Sequence, residues 1–329
     1  MRRTLLAALA ALALLANPAR AQISAEDILG AVFRLKTYVP LDARTAATLG
    51  REREGSAILI DGTGLLLTIG YLMVEAETAD ITLPDGTVVD AAIVAYDHDT
   101  GLGLLRSRIA ARVAKPLARA PADSARQGET ALVVPFDAAR TASPARIVSR
   151  RPFAGNWEYL LDSAIFTAPP NPLWSGSALV DSSGRLLGVG SLIVNDAAGT
   201  RAEGGPLIPG NVFVPVSLLE PILADMIAAG KSLAPVRPWL GMTLEETPQG
   251  LVVARVTPGG PAERAGLARG DTIASVKRER ADTLIDFYRR TWAQGPAGTT
   301  IEFETERFGR ARTHAIPSVD RRDQLRLKF

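Results

Sequence analysis

Gly55-Ser-Ala-Ile-Leu-Ile-Asp-Gly-Thr-Gly-Leu-Leu-Leu-Thr68 holds two apolar, β-prone runs, Ala57 to Ile60 and Leu65 to Thr68, separated by the turn Asp61-Gly62-Thr63-Gly64. Glycine supplies the backbone freedom a tight turn needs, and the asparate-glycine pair is a strong short-range hairpin signal. The pattern recurs downstream. Ile81-Thr-Leu83 and Thr87-Val-Val89 flank Pro84-Asp85-Gly86, and Ala178-Leu-Val180 and Leu186-Leu-Gly-Val189 flank Asp181-Ser-Ser-Gly184, while Ala131-Leu-Val-Val134 is a further short run. Many short strands with regular turns, from Val32 to about Val194, predict a closed or sandwich-like all-β domain.

Ser217-Leu-Leu-Glu220 reads as a capping box ahead of apolar pairs at 218/219, 222/223 and 226/227, with Gly230 as the stop, so one helix is expected to close this domain. Lys231 to Pro238 has two prolines and few large apolar residues, and reads as a linker. The second unit combines strands at Gly250 to Val256, Asp271 to Val276, Thr300 to Glu306 and Arg312 to Ile316 with helices at Pro261 to Gly266 and Asp282 to Trp292.

Composition bounds the function. The 329 residues are 47% apolar and 22% charged, which suits packed cores. The formal charge of +2 provides no basic footprint for nucleic acid. There is no cysteine, hence no disulfide and no thiolate, and the two histidines, His98 and His314, are too far apart in sequence to suggest a metal motif; neither metal nor cofactor is expected. Arg2 and Arg3, the apolar run Leu5 to Ala16 and Ala19-Arg20-Ala21 read as a cleaved secretory signal over 1–21, too short to span a bilayer. Without its three arginines the formal charge is −1. No later stretch is apolar for long enough to span a membrane, and export without cysteine suits a Gram-negative periplasm.

Several motifs carry a resemblance that covers nearly the whole chain: Gly55-Ser56-Ala57, Leu67-Thr68, Asp97-x-x-Thr100-x-Leu102, Asp162-x-Ala164-Ile165, Ser175-Gly176-x-x-Leu179-Val180 and Phe213-Val-Pro215. The order of these elements resembles the HtrA/Deg family of serine proteases, and Gly260-Pro-Ala-Glu-Arg-Ala-Gly-Leu-Ala-Arg-Gly-Asp271 is similar to the hallmark run of that family's PDZ domains. The resemblance implies a mainly β chain: a trypsin-like double β-barrel over 22–230, a linker at 231–238, a PDZ domain over 239–320 and a tail at 321–329. It also implies trimers or larger assemblies, although only Phe33 and Tyr38 represent the family's N-terminal aromatic contacts, which leaves oligomeric state open.

The same resemblance places the nucleophile at Ser175, the general base at Tyr71 and the orienting carboxylate at Gly101. A phenol with a reference pKa near ~10 does not serve as imidazole does at neutral pH, and glycine orients nothing. Leu173 and Trp174 replace the glycine and asparagine of the oxyanion loop. Tyr71 and Trp174 are expected to fill the vacated space as a plug, and His98 to be a solvated loop residue. In the second domain Trp239-Leu240-Gly241-Met242 matches the carboxylate-binding loop, with Leu284, Phe287 and Tyr288 completing an apolar pocket; the alternative is that Trp239 and Met242 pack against the barrel or linker. The expected function is a periplasmic pseudoprotease that binds peptide C-termini or unfolded proteins as adaptor, scaffold, chaperone or regulator. The alternative is a divergent serine endopeptidase using Ser175 with a non-standard base.

Overall fold

The computed structural model describes residues 23–137, 139–199 and 207–327. The proposed signal segment therefore lies outside the described residues. Seven strands form the first sheet: β1 (Val32–Tyr38), β2 (Glu52–Leu59), β3 (Leu65–Ile69), β4 (Thr78–Thr82), β5 (Val88–Asp90), β6 (Ala92–Tyr96) and β7 (Leu102–Arg106), in the order β5-β4-β1-β2-β3-β7-β6. The β2–β3 hairpin pairs Ile58 with Leu67. Its turn is held by the Asp61 carboxylate, which accepts from the backbone N–H of Thr63 and Leu65 at 2.8 and 3.0 Å. Such an aspartate turn is why this stretch folds locally.

Six strands close into a barrel: β8 (Thr130–Val134), β9 (Ser143–Gly155), β10 (Tyr159–Ala168), β11 (Ala178–Val180), β12 (Leu186–Val194) and β13 (Gly210–Pro215), running β10-β13-β12-β11-β8-β9. Closure removes the sheet edges. Leu65, Leu66, Leu67, Phe166, Val189 and Val214 share one buried core across these two sheets. β9 and β10 are the longest strands, and their hairpin reaches beyond the barrel to the C-terminal domain.

The capping box is not formed. A 3-10 turn covers Val216–Leu218, the α-helix begins only at Leu223, and no side chain caps it. Pro221 explains the difference: it has no N–H, and its ring clashes with the carbonyl four residues back, so the helix cannot run through it. Glu220 pairs with Arg119 at 3.0 Å instead. The helix ends where expected, with Gly230 left-handed at φ +72°.

The third sheet joins β14 (Met242–Thr247), β15 (Gly250–Val256), β16 (Thr272–Val276), β17 (Glu279–Arg280), β18 (Thr300–Arg307) and β19 (Arg310–Pro317), with helices at Pro261–Arg264 and Leu284–Trp292. The Asp271 carboxylate ties the Gly260–Asp271 run down, accepting from the Ala268 N–H at 3.0 Å and pairing with Arg307. This domain's core gathers Leu240, Met242, Phe287, Tyr288 and Phe303, and it also takes in Leu160 from β10. The two halves are thus packed together through the β9–β10 hairpin.

Candidate functional site

Ser175 lies in the loop between β10 and β11, fastened on both sides. Its carbonyl accepts from the Ser56 N–H of β2 at 2.8 Å, and the following Gly176 N–H donates to Gly190 on β12 at 2.9 Å. Gly176 has φ +72°, and a Cβ there would stand 2.1 Å from the Ser56 carbonyl oxygen, so only glycine fits.

Tyr71 follows β3 on a short 3-10 turn, and its phenol oxygen lies 2.8 Å from Ser175 Oγ and 2.8 Å from the Ser191 carbonyl oxygen. A carbonyl can only accept, so the single phenolic proton goes to Ser191 and the Ser175 hydroxyl donates to Tyr71. Burial pushes the Tyr71 pKa up to about 12, against hydrogen bonds with Ser175 and Trp174 that lower it. The phenolate fraction at pH 7 is then on the order of 10⁻⁵. Tyr71 holds Ser175 in place as a neutral partner and has no appreciable capacity to take its proton.

Gly101 is left-handed at φ +75°, and a Cβ there would meet the Tyr159 hydroxyl at 2.9 Å. That hydroxyl donates to the Thr100 carbonyl at 2.7 Å, and the Gly101 carbonyl accepts from the Gly70 N–H at 2.7 Å. The conformation leaves little room for a side chain at this position. Nearby Asp97 is occupied with its own turn, accepting from the Thr100 N–H and hydroxyl at 2.8 and 2.7 Å.

His98 corrects one expectation. It is half-buried rather than solvated, with Nε2 accepting from Arg321 at 2.7 Å, which leaves Nδ1–H to donate to Tyr96 Oη at 2.8 Å. Burial, then the Arg321 charge, holds its pKa well below the ordinary histidine value, so it is neutral at pH 7. Its two ring nitrogens bind Tyr96 and Arg321, not Ser175.

The loop ahead of Ser175 is hydrogen-bonded within itself and to β13. In trypsin-like sites the donors are the N–H of the nucleophile and of the residue two before it. Here that second N–H, of Leu173, donates to Asn171 Oδ1 at 2.8 Å. Asn171 is locked by Asn211: its N–H donates to Asn211 Oδ1 at 2.7 Å and its carbonyl accepts from Asn211 Nδ2 at 3.1 Å. The plug is only partly formed, since Tyr71 and Trp174 are half-buried while Leu173 is exposed.

A second site lies at the start of the C-terminal domain. The N–H groups of Leu240, Gly241 and Met242 converge on the Glu158 carboxylate at 2.8, 2.7 and 3.0 Å. Gly241 makes the bend possible with φ +81°. Trp239 is bridged to Val319 by reciprocal backbone bonds of 3.1 and 3.2 Å. Leu284, Phe287 and Tyr288 are all buried on one helix; Phe287 meets Phe303 edge-on, and Tyr288 stacks on Trp292. The three consecutive donors form a cradle for an anion of carboxylate size. Burial raises the Glu158 pKa, against the three backbone N–H bonds that lower it. Among the described residues no cluster of histidines and carboxylates could hold a metal ion, and no helix is long and apolar enough to cross a membrane.

Residues 55–189 match the trypsin-like peptidase domain family, and residues 238–317 match the PDZ domain family. The chain belongs to the HtrA-type family. It is 26% identical over 234 residues to the serine endoprotease DegS of Haemophilus influenzae, covering 68% of this chain and 65% of the relative. It is 25% identical over 272 residues to the periplasmic pH-dependent serine endoprotease DegQ of Escherichia coli, covering 79% of this chain and 58% of that protein. The chain thus spans about three fifths of the curated relatives' length. Among solved structures, the HtrA-type protease AlgW with a tripeptide aligns at TM-score 0.52 and 25% identity, over 90% of this chain and 97% of that one. The serine endoprotease from Yersinia pestis aligns at TM-score 0.53 and 23% identity, over 91% of this chain and 98% of that one, a likeness of fold.

As an HtrA-type chain, the protein brings Tyr71 and Ser175 together, with Gly101 linked to the Tyr71 turn through Gly70. Leu240, Gly241 and Met242 converge as donors, whereas Trp239 contributes through its bridge to Val319. Sequence reasoning missed Asn171 and Asn211, which determine where the Leu173 N–H points, and it missed Glu158 entirely. Asn171 between Pro170 and Pro172 was a visible turn signal.

Proposed function

We propose that this HtrA-type chain is an exported, periplasmic pseudoprotease that captures peptide C-termini or unfolded chains through its PDZ domain, and that it acts as an adaptor, scaffold, chaperone or regulator. The observation that carries the reading is the Tyr71 hydrogen-bond pattern: its proton goes to Ser191, and Ser175 is left donating to a neutral phenol. The absence of an orienter at Gly101 and the engaged Leu173 N–H support it. Loss of a triad member costs roughly 10⁴-fold or more in turnover, and the residual rate leans on the oxyanion hole. Relatives named as periplasmic support the proposed location.

Casein digestion by the full-length protein and by Ser175→Ala tests the reading. Equal, background-level release of fragments is expected. Cleavage lost on Ser175→Ala would overturn it in favour of a divergent endopeptidase. Binding is tested with a decapeptide ending in valine, as free acid and as C-terminal amide; preference for the free acid is expected, and equal affinity would remove carboxylate capture.

A further inference from the structure

The PDZ cradle is occupied by the protein's own barrel. β9 and β10 are joined by Asn156-Trp157-Glu158, and Glu158 sits left-handed at φ +60°, where glycine or asparagine is the usual choice. For a glutamate that conformation is strained. The side chain explains why the position is glutamate: only 6% exposed, it places both carboxylate oxygens on the Leu240, Gly241 and Met242 N–H groups.

The remainder of the hairpin tip behaves as a peptide would. Two residues before Glu158, the Asn156 carbonyl accepts from the Leu244 N–H of β14 at 3.1 Å, the spacing of a strand added at a sheet edge. From the facing helix, Tyr288 Oη donates to the Gly155 carbonyl at 2.8 Å and accepts from the Glu158 N–H at 3.1 Å. The flanks are clamped as well: Leu160 is buried in the PDZ core, and Arg289 pairs with Asp162 at 2.7 Å.

We propose that Glu158 is a built-in pseudo-ligand: the β9–β10 hairpin latches the PDZ domain onto the barrel, and an extended peptide with a free C-terminus enters the cradle only by displacing it. This rests on the reading that the cradle accepts peptide C-termini. Peptide capture and domain undocking are then one event. The free acid binds weakly to the latched protein because its apparent affinity is reduced by the fraction of molecules in which the cradle is open. The hairpin also leads directly into Tyr159, whose hydroxyl packs against Gly101, so the latch is continuous with the degenerate Ser175 site.

The test compares full-length wild type, Glu158→Gly and Glu158→Gln, binding a fluorescein-labelled decapeptide with a C-terminal valine as free acid or amide, alongside hydrogen exchange at the Leu240 to Leu244 amides without peptide. Glycine keeps the left-handed turn, and glutamine keeps the side-chain length. Expected is about 10- to 100-fold tighter binding of the free acid by Glu158→Gly, a smaller gain for Glu158→Gln, and faster exchange at those amides in both variants. Equal free-acid affinity in all three proteins overturns the latch. If no protein binds either peptide, faster exchange in the variants upholds the latch and removes peptide capture, whereas unchanged exchange overturns the latch.

Discussion

The Ser175 site and the PDZ cradle are built from opposite materials. The first is built from side chains, with the Tyr71 phenol set against the Ser175 hydroxyl. The second depends on three consecutive backbone N–H groups, which any residues but proline supply, and its geometry persists around Glu158. A site made of side chains is erased by a few substitutions; one made of backbone is closed by filling it.

The sharpest way to break this comparison is at the fastening of Ser175. Gly176→Ala drives a Cβ to within 2.1 Å of the Ser56 carbonyl oxygen at a left-handed position, and should cost about 3–5 kcal/mol, visible as a fall in denaturant midpoint. A near-neutral result would mean that the nucleophile loop is not held as described. Next in size, Tyr71→His with Gly101→Asp rebuilds the named triad residues, yet should give no casein cleavage. The aspartate must occupy φ +75° against the Tyr159 hydroxyl, destabilising by about 2–4 kcal/mol. Restored cleavage would show that only side chains had been lost.

On the PDZ side, Tyr288→Phe removes the bonds to Gly155 and Glu158 and should destabilise the docked form by about 1–3 kcal/mol. Protease sensitivity of the 231–238 segment should rise; unchanged sensitivity would place the latch's strength elsewhere. The smallest effect lies at the seam. Burial raises Asp99 from its ordinary 3.8 to about 6, partly offset by Arg237 across a 3.8 Å ion pair. Its protonated form is favoured in the folded state, so its contribution is fully present below about pH 4 and is lost as pH rises through about 6. Asp99→Asn should flatten that part of the stability profile, by about 1–2 kcal/mol after allowing for solvent screening.

What was legible in the sequence was local. Asp61 and its glycines specified the β2–β3 hairpin, and the Gly260–Asp271 run marked the PDZ fold, because turn chemistry acts over a few residues. Motif order assigned Tyr71 a place beside Ser175, and the structure brings the two hydroxyls to 2.8 Å. Glu158 was not, since it meets the cradle 82 to 84 residues further along the chain and its left-handed backbone leaves no compositional mark. The Ser217 capping box misled because Pro221 outweighs it. His98 looked solvated because its Arg321 partner lies 223 residues away.

The most direct test of the central claim is fluorophosphonate labelling of Ser175 in the full-length protein from pH 7 to pH 10, with Ser175→Ala as the blank. With Tyr71 held neutral by a pKa of about 12, labelling should stay at the level of the blank at neutral pH. Serine-dependent labelling at pH 7 would show that Ser175 has a working base and would contradict the account.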